Sequence, residues 1–239
     1  CPSDNIGLFV QKPLTSVVAP TRRRPDVAWA VAILFGLVLY QQVNALPVYT
    51  SVDDWLNTAT HLPHYPNPLA YLGIIGVFTA LMAGIAWGVM QLFARPDLVL
   101  SRSGQSFMDR TSRFRAYFLP LMYGIIPVVG ADYLARQLPK FFQHAPAIVP
   151  AVGHLFGAGS KSSPLYGTAI LRDPTIIKVQ VAMMGLGTLA AIWTSLRIAR
   201  RELVPISGHP RATQIAAASL AVTLGVATAW LYVLMNAAA

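Results

Sequence analysis

The sequence predicts an all-α fold, a polytopic bundle of about five transmembrane helices, and three observations support this prediction. Of its 239 residues, 55% are hydrophobic and only 11% are charged, whereas soluble domains carry about 25% charged residues. The charged residues are clustered. Long apolar stretches separate the clusters, and each is close to the ~20 residues that a helix needs to cross a bilayer. This pattern excludes a secreted disulfide scaffold, a disordered tail and an ordinary cytosolic enzyme.

Five apolar stretches are the candidate spans, and together they form a transmembrane domain over residues 27–239. They cover residues 27–46, 69–93, 114–134, 175–198 and 212–234. Pro120 and Pro127 lie in the third span, and we expect them to kink it because each removes a backbone N–H. Neighbouring helices can supply new partners for the carbonyl groups that such prolines leave unpaired.

Basic residues divide unequally between the two sides of the predicted bundle. Thirteen Lys and Arg residues precede the first span or lie between spans two and three or four and five, against five on the other side. Cytoplasmic loops are enriched in Lys and Arg, so we expect a cytoplasmic N-terminus and an outer C-terminus. The net charge of +9 is then a sign of topology and of contact with anionic lipid, and no nucleic-acid partner is expected.

The two outer connections are expected to lie at the membrane interface. Residues 47–68 contain Asp53 and Asp54 but no Lys or Arg, with Ser51 as the candidate N-cap of a helix and Trp55 suited to the interfacial belt. Residues 137–173 mix apolar residues with prolines and glycines. They are too broken to span, so we expect an outer interfacial loop of short helices.

Cys1 is the single cysteine of the chain and opens a cytoplasmic tail, residues 1–26, that follows a candidate iron–sulfur loop. Bacterial ferredoxin loops bind iron through C-x2-C-x2-C-x3-C-P, in which the last cysteine precedes a proline. The stretch CPSDNIGLF, the basic run TRRRP and the adjoining span resemble the C-terminal membrane part of NapH/FesM-like membrane-bound 4Fe-4S polyferredoxins. This resemblance implies a bacterial inner membrane and Cys1 as the fourth ligand of a 4Fe-4S cluster. The other three cysteines are missing, so the remaining ligands would lie outside this sequence.

Two other interpretations of Cys1 stay open. A first-position cysteine could be lipidated after signal-peptidase cleavage, although that would place Arg22–Arg24 outside and invert all the basic loops. It could also be incidental, at a trimmed end of the chain.

Histidines offer further candidate ligands, and all of them lie in connections. His61 and His64 form an i, i+3 pair that could bind copper or zinc, or they are incidental to a proline-rich turn. His144 and His154 could contact a quinone or serve as amphipathic interfacial residues. Because no span contains a histidine, a transmembrane bis-histidine haem is not expected.

Asp132 and Arg136 lie at the outer end of the third span, where polar residues are costly. Their i, i+4 spacing places them on one helix face. It predicts an ion pair at the interface, with part of a quinone or proton site as the functional alternative.

These observations favour a membrane-anchored electron-transfer protein that links cytoplasmic iron–sulfur clusters to a quinone pool or a partner redox complex. It would be a component of electron transfer and not a stand-alone enzyme, and its partners would be the lipid bilayer and other membrane redox or complex subunits. The alternative is a non-catalytic structural or assembly subunit of a larger membrane complex. A transporter-like protein that uses His61 and His64 is a third hypothesis. The P-loop, GxSxG, HExxH and dinucleotide motifs are absent, so any chemistry is expected from a cofactor or from a part of the protein outside this sequence.

Overall fold

The computed structural model describes residues 14–18, 23–44, 46–61, 67–94, 110–156 and 173–237, and this part of the chain is helical without any strand. The helices are α1 (Thr15–Val18), α2 (Pro25–Val43), α3 (Pro47–Thr60), α4 (Pro68–Phe93), α5 (Arg110–Leu155), α6 (Asp173–Ile198) and α7 (Pro210–Ala237). A π-helical turn, Ala199–Leu203, and a 3-10 turn, Val204–Ile206, connect α6 to α7.

Five of the described helical stretches are long and apolar enough to cross a membrane, which confirms the predicted bundle. They are Pro25–Val43, Pro68–Phe93, Ser112–Phe142, Thr175–Ile206 and Pro210–Leu234. The second to fifth predicted spans begin within two residues of these stretches. Proline begins α2, α3 and α4, where its fixed φ suits the first helical position and its missing N–H costs nothing. The chain is therefore an integral membrane protein.

Helices α2 and α5 run parallel to each other across the bundle. Toward one end the ring centroids of Trp29 and Phe118 are 4.5 Å apart, and toward the other end Gln42 contacts Asp132. Residues 29–42 and 118–132 each correspond to about 20 Å of helix. Apolar side chains of α2, α4, α5, α7, the end of α6 and the α6–α7 turn fill the largest core, among them Phe35, Met82, Phe118, Ile125, Leu203 and Leu224.

Helix α5 is continuous from Arg110 to Leu155, although it contains Pro120, Pro127, Pro139, Pro146 and Pro150. The expectation of short helical pieces is therefore corrected for residues 137–155, which extend one long helix beyond its span. Residues 157–172 lie outside the described part. One compensating contact lies at Pro139, because Gln180 of α6 donates a hydrogen bond to the Ala135 carbonyl, for which this proline has no N–H.

The connection between α2 and α4 contains the short helix α3, which begins four residues before the predicted N-cap Ser51. Ser51 lies inside the helix and donates a 3.3 Å hydrogen bond to the carbonyl of Pro47, so it does not cap the helix. Pro47 starts the helix because its φ is already fixed near the helical value.

The carboxylate of Asp53 fastens α3 to the beginning of α4. Asp53 is fully buried and accepts hydrogen bonds from the Tyr49 hydroxyl (3.2 Å), the Asn57 amide (3.1 Å) and the backbone N–H of Asn67 (2.8 Å). Asn67 in turn caps α4 by accepting from the backbone N–H of Leu69 at 2.9 Å. This saturated network explains a buried acid in structural terms.

Candidate functional site

Of the four residues predicted to form a quinone or interface site, the structure brings Asp132 and Arg136 together. Arg136 Nε lies 3.5 Å from Asp132 Oδ2, so the ion pair expected from their spacing is present, in a buried position. His144 and His154 are exposed on the C-terminal part of α5. They lie about 12 and 27 Å beyond Arg136 along the helix axis, so the histidines and the ion pair occupy different regions.

The predicted metal ligands are placed only in part. Cys1 and His64 lie outside the described residues, and His61 ends α3 as an exposed residue with a left-handed φ of 54°. Within the described ranges, no three His, Cys, Asp or Glu side chains come together in a way that could hold a metal ion. The iron–sulfur ligand at Cys1 and the copper or zinc pair at His61 and His64 stay predictions.

Gln42, Asp132 and Arg136 form a buried polar cluster between α2, α5 and α7. Gln42 Nε2 donates to Asp132 Oδ1 at 3.3 Å and approaches the Thr228 carbonyl at 3.5 Å. Both Gln42 and Asp132 are at most 1% exposed. Gln42 Oε1, Asp132 Oδ2 and Arg136 Nη2 find no hydrogen-bond partner among the described residues. The cluster is neutral as a whole and has spare hydrogen-bonding capacity, which a small polar group could use.

A second buried polar contact lies at the same level of the bundle and joins α5, α6 and α7. Gln180 Nε2 donates to the backbone carbonyl of Ala135 at 2.7 Å. The Tyr232 hydroxyl donates to the other end of the same amide, Gln180 Oε1. Since Ala135 lies next to Arg136, four membrane helices meet around one turn of α5.

An open apolar groove of about 250 Å³ lies between α2 and α5. Val38 and Val129 line it one helical turn before Gln42 and Asp132, so the groove and the polar cluster share the same helix faces. Gln41 and Tyr133 are the polar residues of the lining. The arrangement could accept an apolar chain with a hydrogen-bonding head group.

The opposite end of the bundle, called here the basic end, is organised around Arg23. Its guanidinium forms two 2.6 Å hydrogen bonds with Glu202 and lies 4.6 Å from the ring centroid of Tyr123. It also donates to the carbonyl of Val17 at 3.0 Å and approaches that of Val18 at 3.4 Å. The side chain of Arg23 is only 7% exposed. Arg23 therefore links the tail, α5 and the π-helical turn after α6, and we call this set of contacts the Arg23 clamp.

Sequence reasoning missed the Arg23–Glu202 pair and the role of Gln180. One signal was available for the first, because Glu202 is the only acidic residue in the basic segment 197–211. An isolated acidic residue in a segment rich in arginine is a candidate ion-pair partner for a buried arginine. No comparable signal marks Gln180, whose partner is a backbone carbonyl.

Comparison with protein-family models, with curated proteins and with solved structures finds no match for this chain. Its function must therefore be argued from the clamp, the buried polar cluster and the groove.

Proposed function

We propose that this chain is the membrane module of an electron-transfer protein, which links iron–sulfur clusters at the cytoplasmic face to a quinone pool or a partner redox complex. The observation that carries the proposal is the Arg23 clamp, which fixes the tail to the basic end of the bundle. By the distribution of Lys and Arg, that end faces the cytoplasm.

The clamp supports this function because electron transfer requires a donor held at a defined position. Arg23 follows the segment that Cys1 and Pro2 begin, and it binds the end of α1, the ring of Tyr123 and Glu202 at once. A tail that only tethered another domain to the membrane would need none of these contacts. A cluster bound near the tail would thus be oriented relative to the membrane surface.

The residues of this chain do not by themselves complete a 4Fe-4S cluster. Such a cluster is usually held by four thiolates, and the chain contains one cysteine. The proposal assigns the other ligands to residues before Cys1 in a longer protein or to a partner subunit. Cys1 would supply one soft, anionic ligand, and the clamp would hold Val17, Val18 and Arg23, further along the same tail.

The groove between α2 and α5 is the candidate quinone site. A quinone combines an apolar tail with two carbonyl acceptors, and the groove offers apolar walls with the Gln41 amide and the Tyr133 hydroxyl as donors. Gln42 and Asp132 do not line the groove, but they lie one helical turn beyond Val38 and Val129, which do, and so place buried polar groups near such a head group.

Iron analysis of the natural protein tests the proposal. The full-length gene product would be purified without oxygen from its own membranes, and iron and acid-labile sulfide would be measured per chain, with electron paramagnetic resonance after reduction. We expect iron and sulfide in stoichiometric amounts and their loss in Cys1→Ser, with helicity unchanged by circular dichroism. Iron and sulfide at background, or unchanged in Cys1→Ser, would contradict it.

A structural or assembly role is the second candidate, and one feature of α4 favours it. Gly76, Ala80 and Gly84 are exposed and share one helix face, and a Cβ added at either glycine would meet no atom within 4 Å in the described structure. Exposed small residues at this spacing favour close packing against another membrane helix. Gly84→Leu should then shrink the native complex on blue-native electrophoresis, whereas Gly185→Leu on the exposed face of α6 should not.

A further inference from the structure

A cleft of about 300 Å³ opens at the basic end beside the first turns of α5. Ser112 is the first residue of the membrane-spanning stretch. Ser112 and Arg115 line the part of the cleft beside the beginning of α5. Ala116, Leu119 and Pro120 line the part further along α5. Along α5, the lining therefore changes from polar to apolar over about 12 Å of helix, in the direction that leads into the membrane.

The charge of the cleft is set by Arg115. Arg23 and Glu202 also line it, but both carboxylate oxygens of Glu202 are bound by Arg23 at 2.6 Å, so these two charges compensate each other. Arg115 is exposed and forms no ion pair in the described part of the chain. Among the described residues, the cleft thus presents the positive charge of Arg115 without an ionic partner, together with the Ser112 hydroxyl and an apolar part.

We propose that this cleft binds an anionic phospholipid, with the phosphate on Arg115 and Ser112 and an acyl chain against Ala116, Leu119 and Pro120. Charge complementarity and the polar-to-apolar order of the lining specify this occupant. A basic residue near the surface favours anionic over zwitterionic head groups. The cleft adjoins the Arg23 clamp, but the proposal does not depend on electron transfer, because the residues assigned to the lipid have no part in the proposed electron-transfer function.

Lipid titration of the full chain tests this site. The protein in detergent micelles would be titrated with dioleoyl phosphatidylglycerol and, separately, with phosphatidylcholine of the same chains, and bound lipid would be counted by native mass spectrometry. We expect preferential binding of phosphatidylglycerol and a loss of about fivefold in affinity in Arg115→Gln. The matched control is Arg201→Gln, which removes an exposed charge at the same end outside the cleft.

A second variant separates lipid from free phosphate. Ala116→Phe fills the apolar part of the cleft but leaves Arg115 and the net charge unchanged. It should therefore weaken phosphatidylglycerol binding by excluding the acyl chain. Equal losses of phosphatidylglycerol affinity in Arg115→Gln and Arg201→Gln would show that the basic surface attracts this lipid in general. That result would overturn the proposed site. Competition by millimolar inorganic phosphate together with unchanged binding in Ala116→Phe would also overturn it, because the acyl chain would then contribute nothing.

Discussion

Gln180 donates a hydrogen bond to the backbone carbonyl of Ala135, and Ala135 lies four residues before Pro139. In an uninterrupted helix that carbonyl would accept from residue 139, but proline has no N–H to donate. Gln180 Nε2 takes that place at 2.7 Å, and Tyr232 donates to the oxygen of the same amide. One side chain of α6 thereby lets α5 continue through a proline and also binds α7.

Removing this substitute donor should destabilise the bundle, and restoring the backbone N–H should reverse the effect. The double change Gln180→Leu with Tyr232→Phe leaves the Ala135 carbonyl buried without a donor, which costs about 1 kcal/mol. Adding Pro139→Ala should recover most of that loss. The midpoint of unfolding by dodecyl sulfate in mixed micelles measures both steps. Pro139→Ala should raise the unfolding midpoint of the double variant more than that of the wild type. An equal rise in both would show that Gln180 does not replace the missing N–H of Pro139.

The Arg23 clamp should contribute more to stability than the exposed Arg24–Asp26 ion pair beside it. Glu202→Gln leaves Arg23 buried beside a neutral partner, and we expect a loss of about 1–3 kcal/mol in the free energy of unfolding. Asp26→Asn breaks the exposed Arg24–Asp26 pair and is the matched control, which should lower the free energy of unfolding far less because exposed ion pairs contribute little. Similar losses in the two variants would show that the clamp is an ordinary surface pair.

Asp53 should be required for the attachment of α3, whereas Asp54 should not. Asp53→Ala removes the acceptor of three hydrogen bonds and should cost about 2–3 kcal/mol, with faster amide exchange confined to residues 47–60. The exposed Asp54 provides the control, and Asp54→Ala should change stability by about 0.5 kcal/mol or less. Unchanged exchange in α3 of Asp53→Ala would exclude this role.

Stability should also fall at alkaline pH because of Tyr49. Burial raises the pKa of the Tyr49 phenol above its usual value, and the adjacent Tyr40 and Asp53 raise it further. The folded state requires the neutral phenol. The contribution of Tyr49 to the free energy of unfolding is therefore complete below about pH 10, the ordinary tyrosine pKa, and it decreases as the pH rises above that value. Tyr49→Phe should make the loss less steep between about pH 10 and 12. Identical slopes in the two proteins would count against this assignment.

A double-mutant cycle can show whether the buried ion pair is structural. Asp132→Leu or Arg136→Met alone leaves one buried charge without its partner, at a cost of about 3–5 kcal/mol. The double variant removes both charges and should be close to wild type in stability. If the double variant is stable but loses quinol-dependent electron transfer, the pair serves the proposed function. If it is stable and fully active, the pair is structural alone.

The apolar stretches were sufficient to predict the bundle, because span length is fixed by bilayer thickness. The Asp132–Arg136 pair was also predictable, since residues four apart on a helix are neighbours. The extension of α5 was not, because prolines usually end helices and the compensating donor, Gln180, lies 45 residues away in sequence. The Arg23–Glu202 contact joins residues 179 apart, and no periodicity relates residues at that separation.

The parallel pairing of α2 with α5 also sets an order for assembly during synthesis. Gln42 and Asp132 are separated by 90 residues, which a ribosome adds in about 5–20 s. During that interval the amide of Gln42 enters the membrane before its buried partner exists. Until α5 is made, the growing bundle therefore contains α2 and α4 with the Gln42 amide still lacking its Asp132 partner.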